Sequence, residues 1–319
     1  MSAADPTILM MSWDEAPMLR HSLPRAMAQD GARVVVIDNA CADDSAAVIA
    51  EHGAQRLHLP ERLSYAAAVN RALGGIDGDA VLLLNADCFL EPGFLAAAMD
   101  RLGHPGVGSV APRLLRTLGP EPGQRLDAID AAGMVVDRRR KNGLVGHGRP
   151  GLAHDRPAPA FGADGAAALY RRETLADCAL DGEVLDEDIE RWASDVDLAW
   201  RARTLGWECV YEPRAVAYHV RTYSPSTRAH MPAHDRRMQF RNRYLMMVKN
   251  DTPGALARDL PRLAAYELGQ LAYVLAVERE LLGGYRDAAR LAGAARRRRR
   301  ALRGRRPATP APLGLEPAA

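Results

Sequence analysis

Apolar runs and segments of helical periodicity alternate through the first third of the chain. The predicted strands are 7–11, 33–38, 55–59, 80–85 and 107–112, and the predicted helices between them are 17–29, 45–52, 64–73 and 92–102. The second and fourth strands are unbroken rows of valine, isoleucine or leucine, which is typical of parallel strands covered on both faces. This alternation predicts an α/β fold with a mostly parallel sheet flanked by helices.

The remaining sequence is less regular. We predict loops over 114–159 with a hairpin around 134–137, then strands at 166–170, 209–211 and 215–219 and helices at 194–205 and 236–250. Residues 256–282 predict one long helix or a broken pair, and the Pro- and Ala-rich end predicts disorder. The patterns together predict a main domain over 1–250, a C-terminal helical extension over 251–300 and a disordered tail over 301–319.

The composition excludes several classes of protein. Of 319 residues, 48% are hydrophobic and 26% are charged, the usual mixture of a globular chain rather than a disordered one. The four cysteines include no CxxC pair, so no zinc ribbon or redox motif is indicated, and isolated thiols suit a reducing compartment. No apolar window is long enough to span a bilayer, and the start of the chain lacks the basic leader of a secretory signal. We therefore expect a cytoplasmic protein.

The net charge of +2 conceals a basic C-terminus. Nine arginines and one acid follow Asp287, so the rest of the chain is acidic. With an amphipathic helix in 256–282, these arginines predict binding to an anionic membrane surface, at the inner face of the plasma membrane. Two other interpretations stay open: the helix packs on the main domain or in a homodimer, and the arginines are a solvated run that binds RNA without specificity.

Polar side chains follow three of the predicted strands. Ser12 and Glu15 follow the first strand, Asp38 ends the second, and Asn85 and Asp87 follow the fourth. Ligands of open α/β sheets bind at the carboxyl ends of the strands, so these residues are expected to share one edge. One Asp at such a place is more often a turn residue or helix cap. The coincidence across three strands favours a site.

Asp87 is a candidate ligand for a hard cation. A carboxylate at a strand end suits Mg²⁺ or Mn²⁺, and His219, which ends the predicted strand 215–219, is the leading second ligand. The alternative is that this histidine is structural. A phosphate would need a metal here because the chain has no Walker A sequence, and the GxGxxA match at 106–111 lies between a helix and a strand, the reverse of a dinucleotide site.

Asp195 lies in the first turn of the predicted helix 194–205. Ser194 and Asp197 have the spacing of a capping box, and the helix dipole favours an ionised carboxylate at this end by about 0.3–1 kcal/mol. A rigidly held, ionised carboxylate is what a general base requires. The structural alternative is that acids in a first turn simply stabilise the helix, and Asp197 can pair with Arg201 four residues on.

Short motifs occur in a characteristic order between Thr7 and Asn250. They are VVVIDN at 34–39, LLLNAD at 82–87, GADGA at 162–166, RRE at 171–173, SDVDL at 194–198, RA at 201–202, GW at 206–207 and AYH at 217–219. Their order and spacing resemble the family 2 glycosyltransferases of GT-A fold, especially the bacterial rhamnosyltransferase-like branch. The resemblance implies a GT-A catalytic domain over 1–250, which is a Rossmann-like nucleotide-diphospho-sugar transferase fold with a mixed, mostly parallel sheet.

The resemblance also implies a role for each matching residue. Asp38 would bind the donor's nucleobase, Asp87 and His219 would hold Mn²⁺ or Mg²⁺ on its diphosphate, and Asp195 would be the catalytic base. The expected donor-binding residues are Ser12, Glu15, Asp38, Asn70, Asn85 and Asp87. The expected residues of the sugar or acceptor pocket are Asp164, Gly165 and Ser194.

The hypothesis that follows is an inverting, metal-dependent glycosyltransferase. It would move a hexosyl or rhamnosyl unit from a nucleotide-diphosphate sugar to a hydroxyl of a glycan or lipid-linked saccharide in cell-envelope polysaccharide synthesis. Three features depart from the family's pattern: Asn85 replaces the first acid of the DxD-type motif, Ser194 replaces a Glu, and 64–70 lacks glycines. Ser194 and the altered segment 65–70 support one alternative, a catalytically silent relative that binds sugar nucleotides as a sensor or scaffold, whereas Asn85 is a common relaxation that leaves one strong carboxylate. The acidic body disfavours a specific nucleic-acid-binding protein.

Overall fold

The computed structural model describes residues 6–224 and 227–305. The strands are β1 (Thr7–Ser12), β2 (Arg33–Asn39), β3 (Gln55–Leu59), β4 (Ala80–Asn85), β5 (Cys88–Leu90), β6 (Val107–Thr117), β7 (Arg125–Ala131), β8 (Met134–Val136), β9 (Asn142–Leu144), β10 (Ala158–Ala160), β11 (Ala167–Arg171) and β12 (Glu208–His219). The α-helices are α1 (Ala16–Met27), α2 (Ser45–Glu51), α3 (Tyr65–Leu73), α4 (Phe94–Leu102), α5 (Arg172–Cys178), α6 (Ser194–Thr204), α7 (Ala233–Asn250), α8 (Pro253–Ala276) and α9 (Leu282–Arg303). None of the helices in this part of the chain combines the length and apolar character that crossing a bilayer requires.

A mixed sheet runs through the described residues in the order β10-β12-β6-β11-β4-β1-β2-β3. β4, β1, β2 and β3 are parallel, β12 is parallel to β6, and β11 lies antiparallel between the two groups. β5 and β7 add antiparallel partners to β12 and β6, and β8 and β9 form a separate hairpin. Because Ser12 pairs with Asp38 and Met11 with Asn85, the three predicted strand ends share one edge of the sheet.

Successive strand residues enter two different apolar layers. Ile8 and Met10 of β1 pack with α1, α2 and α4 on one face of the sheet, whereas Leu9 and Met11 pack with α3, α5 and α6 on the other. The middle positions of the central strands are therefore apolar, since both faces are covered, and polar residues such as Ser12 and Asp38 occur only at the strand ends. The predicted α/β class, with helices on both sides of the sheet, is confirmed.

Residues 114–159 contain more regular secondary structure than the sequence predicts. This stretch contains the end of β6, then β7, β8, β9 and β10, rather than loops around a single hairpin. Most of these strands are short and interrupted by Gly, Pro and Arg, so they carry too few residues for a periodicity to stand out. The two predicted strands at 209–211 and 215–219 are one strand, β12, whose register on β6 shifts between Glu212 and Val216, next to Pro213.

The C-terminal extension is a broken pair of helices that packs back on the main domain. The Phe240 ring on α7 meets Tyr285 of α9 edge-to-face, with ring centroids 4.8 Å apart, and Leu302 of α9 is buried in the core beside α5 and α6. α9 continues to Arg303, inside the segment predicted to be disordered. Residues 306–319 of that predicted tail lie outside the described residues.

Part of the arginine run binds the acidic body of the same chain. Arg298 is buried and forms ion pairs with Glu183, Asp186 and Asp188. Further along the run, Arg299 donates to the carbonyl of Val248 and Arg305 to that of Asp177, as the last residues of the described chain pass over α5 and α7. The prediction of a solvated run is therefore wrong for Arg298, whose charge is neutralised internally.

Lys249 connects α7 to the helix that carries Asp195. Its buried ammonium donates to Asp186 and, at 2.8 Å, to Asp197 of α6. We expect Lys249→Met to lower the free energy of unfolding by about 3 kcal/mol, because the buried carboxylates lose a cation that offset their charge. Urea denaturation measures this, with Lys141→Met, an exposed lysine, as control. A loss below about 1 kcal/mol would show that Lys249 is dispensable.

Candidate active site

A cavity of about 500 Å³ opens at the edge where β1 and β4 end. It is lined by the strand ends, by the start of α6 and by the segment after β12. The polar and aromatic side chains in its wall belong to Trp13, Glu15, Tyr65, Asn85, Asp87, Asp164, Arg191, Trp192, Ser194, Asp195, His219, Arg221 and Tyr223. Most of the residues that the sequence predicts for the site therefore lie around one cavity, although they come from distant parts of the chain.

Asp87 and His219 face each other in this wall. The pairing of β12 with β5 places His219 opposite Cys88, directly beside Asp87. Nε2 of His219 lies 3.4 Å from Oδ1 of Asp87. That oxygen is buried, yet it has no well-formed hydrogen bond to any of the described residues. A buried carboxylate oxygen without a partner is costly, so its lone pairs are available for a ligand.

Asp130, on β7, supports His219 from behind. Its Oδ2 lies 2.8 Å from Nδ1 of His219, and it also accepts from Arg221, which reaches on to Asp164 at 2.9 Å. Burial raises the pKa of Asp130, but the hydrogen bonds from His219 and Arg221 outweigh it and hold that pKa well below its usual range. Burial likewise lowers the pKa of His219, but Asp87 and Asp130 outweigh it and raise that pKa to about 10. Negatively charged carboxylates and positively charged side chains thus alternate along this wall.

Asp195 is held at the start of α6 by two backbone N–H groups. Oδ2 accepts from Gly165 at 3.0 Å and Oδ1 from Val196 at 2.8 Å. A Cβ at position 165 would lie 3.3 Å from Oδ2, so glycine allows this backbone to approach the carboxylate closely. Burial, followed by the negative charge of Asp164, raises the pKa of Asp195 to about 6. The group is therefore rigid, ionised at neutral pH and more basic than an ordinary aspartate.

The predicted capping box at this helix is not formed. α6 begins at Ser194 itself, and its N-cap is Ala193 in a left-handed conformation at φ 71° with no side-chain cap. Asp197 turns away from the helix start to pair with Arg201 at 2.9 Å and with Lys249. The structural interpretation of Asp197 is thus correct.

The family model described as glycosyl transferase family 2 matches residues 7–178. The chain belongs to this family. The matched part runs from β1 through α5 and includes Asp87 and Asp164, whereas Asp195 and His219 follow it in the sequence. The family predicted from the sequence motifs is confirmed.

Two relatives are similar in sequence to part of the chain. It is 28% identical over 193 residues to a pre-mycofactocin glycosyltransferase of Mycobacterium tuberculosis (strain CDC 1551 / Oshkosh), covering 59% of the chain and 37% of that protein. It is 27% identical over 187 residues to the uncharacterized protein y4gI of Sinorhizobium fredii, covering 56% of the chain and 19% of that protein. The chain therefore spans less than two fifths of the length of these curated relatives.

Solved structures of similar shape identify the fold. A mannosyltransferase of Pyrobaculum calidifontis in complex with GDP-Man and Mn²⁺ has a TM-score of 0.56 and 20% identity, covering 91% of the chain and 76% of that protein. Residues 1–349 of Staphylococcus aureus TarS in complex with UDP-GlcNAc have a TM-score of 0.57 and 12% identity, covering 94% and 90%. The predicted GT-A fold is confirmed, and the rhamnosyltransferase-like branch stays a prediction.

Three of the predicted donor-binding residues have side chains that form hydrogen bonds within the protein. The Ser12 hydroxyl is buried 2.9 Å from that of Ser45, and the Asn70 amide bonds to the backbone of Val184 and Leu185. The Asp38 carboxylate accepts from the N–H of Cys41 and from Arg56, beside His58. These hydrogen bonds give Ser12 and Asn70 structural roles. The sequence could not show this, because a position at a strand end or on a helix does not fix the direction of a side chain. None of these three residues is among the described residues that line the cavity.

Some residues of the cavity wall, and Asp130 behind it, were not predicted from the sequence. Asp130 lies in the segment predicted as loops, and its only signal is an acid inside the apolar stretch 128–132. Arg221 follows His219 by two positions, yet nothing in the sequence indicates that it bridges two carboxylates. Arg191 lies over the rings of its neighbour Trp192, at 4.8 Å, and of Trp13, at 5.7 Å, and only the fold brings Trp13 to this cation.

The residues of the wall fit a divalent cation. Once a cation displaces the proton on Nε2 of His219, this nitrogen and the unpartnered oxygen of Asp87 would form a mixed oxygen and imidazole donor set, which suits Mn²⁺. Asp130 fixes the other ring nitrogen of His219, as carboxylates commonly do for ligating histidines. Burial, followed by the charge of Asp87, raises the pKa of Glu15, at the same edge, to about 7.

A second group of potential ligands lies outside the cavity. Asp14, Cys41 and Asp43 bring ligand atoms within 4.8 Å of one another. Their carboxylates already accept N–H groups, however: Asp14 from Ala42, and Asp43 from Ala16 and Ser45. These hydrogen bonds explain why the three residues lie close together in the loops. A variant of Asp43 is therefore a suitable control for the metal site.

Proposed function

We propose that the chain is an inverting, metal-dependent glycosyltransferase that uses a nucleoside-diphosphate sugar. The observation that carries the proposal is that one cavity contains both the Asp87–His219 pair, with its unpartnered oxygen, and a separate carboxylate, Asp195, with a pKa near 6. Membership of family 2 supports it, as do similar folds solved with GDP-Man and Mn²⁺ or with UDP-GlcNAc.

Asp87 and His219 would hold the cation at the donor's diphosphate. Such a cation acts as a Lewis acid that offsets the charge of the departing nucleoside diphosphate. Asp130 keeps His219 oriented, and Asn85 contributes a neutral amide where many family members have a carboxylate. Arg191, exposed at the cavity wall, adds a positive charge within reach of a phosphate.

Asp195 would accept the proton of the acceptor hydroxyl as that oxygen attacks the anomeric carbon. The N–H groups of Gly165 and Val196 hold its carboxylate in place, so little reorganisation is needed before proton transfer. Attack from the side of one base, opposite the leaving group, is a single displacement that inverts the anomeric carbon. Arg221 forms an ion pair with Asp164 at 2.9 Å beside it.

The acceptor that we propose is a hydroxyl of a glycan or lipid-linked saccharide in cell-envelope synthesis, and the motif resemblance supports it. A catalytically silent relative is the second candidate, supported by Ser194 in place of a family acid and by the altered segment 65–70. Asp87, Asp195 and His219 are all present around the cavity. Their joint presence favours the enzyme, because a binding protein needs no base.

A donor panel tests the proposal. UDP-, dTDP- and GDP-sugars are each added with Mn²⁺ or with EDTA, and thermal unfolding and slow donor hydrolysis are recorded. We expect one nucleotide class to raise Tm by several degrees with Mn²⁺ only and to be hydrolysed. Stabilisation without hydrolysis would favour the silent relative, and no stabilisation by any donor would contradict both.

The pH profile should report the ionisation of Asp195. A general base works deprotonated, so we expect kcat to rise with pH through about 6 and to level off above it. Asp164→Asn removes the like charge beside the base, which should move the acidic limb to lower pH. The measurement is kcat at saturating donor between about pH 5 and pH 8. A profile that stays flat down to pH 5 would show that another group takes the proton.

A further inference from the structure

α8 turns both of its acids inward, beside the buried Leu263 and Val274, and leaves several other apolar residues exposed. Its two acids face inward: Asp259 accepts from Arg140 at 2.7 Å, and Glu267 accepts from Arg243 at 2.7 Å and from the Tyr244 hydroxyl at 2.6 Å. A helix on the surface of a globular domain normally turns its apolar side to the core and its charges to water. α8 instead packs its polar side on α7 and on the turn between β8 and β9.

The outward side of α8 is a row of leucines. Leu260, Leu268, Leu271 and Leu275 are 58%, 70%, 41% and 50% exposed. Their spacing of three, four or eight residues, with Ala264 in the gap, places them on one side of the helix. This leucine row is about 22 Å long at the rise of an α-helix. A continuous exposed apolar stripe of this size marks an interaction surface rather than scattered surface leucines.

The charges beside the leucine row are positive. Arg258 and Arg262 are exposed on the part of the outward side that lies farther round the helix from the leucines, and Arg258 also pairs with Asp259. Since both acids of α8 face inward, no acid of this described helix shares the outward side. The row also contains no Trp, Tyr or Phe, the aromatic residues that anchor most protein interfaces. Leucines on one side with arginines farther round the helix are the composition of a helix that lies in a membrane interface.

We infer that α8 docks on the surface of an anionic lipid bilayer. The leucine row enters the boundary of the acyl chains, and Arg258 and Arg262 meet the anionic headgroups. Arg298 of the arginine run does not take part in this contact, because it is buried against Glu183, Asp186 and Asp188. This inference concerns where the protein works and requires no donor, metal or acceptor, so it stands apart from the proposed function.

Vesicle flotation with the full chain tests the inference. The vesicles are phosphatidylcholine alone or with about 30% phosphatidylglycerol, and the variant is Leu268→Glu with Leu275→Glu. The matched control is Leu118→Glu with Leu152→Glu, two exposed leucines outside α8. We expect the wild type to float with the anionic vesicles, the leucine-row variant to lose at least about tenfold in partitioning, and the control to stay within about twofold.

Arg262→Glu gives a second test that leaves every leucine in place. We expect several-fold weaker binding to anionic vesicles and no change with neutral ones, with the difference removed at about 0.5 M NaCl. Thermal unfolding of each variant confirms that it is folded. A wild type that binds neither vesicle, or a leucine-row variant that binds as well as the wild type, overturns the inference. A dimer that the leucine-row variant converts to monomer also overturns it, because a second copy then covers the row.

Discussion

Asp195→Asn is expected to lower kcat by about 10³-fold or more while donor affinity with Mn²⁺ stays within about twofold. The amide keeps the shape of the carboxylate but cannot accept the proton of the acceptor hydroxyl, and general base catalysis contributes about 10²–10⁴-fold. Donor affinity should persist because Asp87 and His219 are untouched. Initial rates with the donor found in the panel, and calorimetric titration of that donor, measure the two quantities separately.

Asp197→Asn is the matched control, two residues along the same helix. The Asp197 carboxylate pairs with Arg201 and Lys249 and does not line the cavity. We therefore expect it to lower stability while the folded protein keeps kcat within about tenfold. Turnover retained by Asp195→Asn would remove Asp195 from the mechanism, and equal loss in both variants would indicate a structural role for each.

Asp87→Asn is expected to abolish the Mn²⁺-dependent part of donor binding. Loss of an outer-shell partner weakens metal affinity by about 10–100-fold, and loss of the ligand itself should exceed that range. Asn85 offers only a neutral amide nearby, so no second carboxylate of the motif can replace it. Titration of donor with Mn²⁺ and with EDTA should give matching, weak affinities in this variant.

Asp43→Asn distinguishes the cavity from the second cluster of potential ligands. Asp43 bonds to the N–H groups of Ala16 and Ser45, so we expect its variant to bind Mn²⁺ and donor within about twofold of the wild type. If Asp43→Asn removed metal-dependent binding and Asp87→Asn did not, the metal would belong to the other cluster.

The parallel half of the sheet and the edge of the site were predictable from the sequence. Continuous apolar runs such as 81–84 identify strands covered on both faces, and topology then brings Asp87 and Asp195 to the same side. Side-chain direction was not predictable: Ser12 follows a strand, as Glu15 does, but its hydroxyl points into the protein. Asp130 was missed because its strand has too few regular positions to show a period.

The C-terminal helices show another limit of periodicity. The pattern of 256–282 identifies an amphipathic helix, but it does not say which side faces the protein. Arg140 and Arg243 decide this by attracting Asp259 and Glu267 inward, and both arginines are distant in sequence. In the same way, the acids at 183–188 that neutralise Arg298 cannot be matched to it before the chain is folded.

Pulsed EPR of the Mn²⁺ complex with the nucleoside diphosphate found in the panel tests the central claim most directly. We expect a ¹⁴N coupling from an imidazole in the wild type, and its loss in His219→Gln with the nucleotide still bound. The same coupling in the wild type and in His219→Gln, or Mn²⁺ bound with phosphate but no nitrogen in the wild type, would contradict the claim that Asp87 and His219 hold the metal beside Asp195.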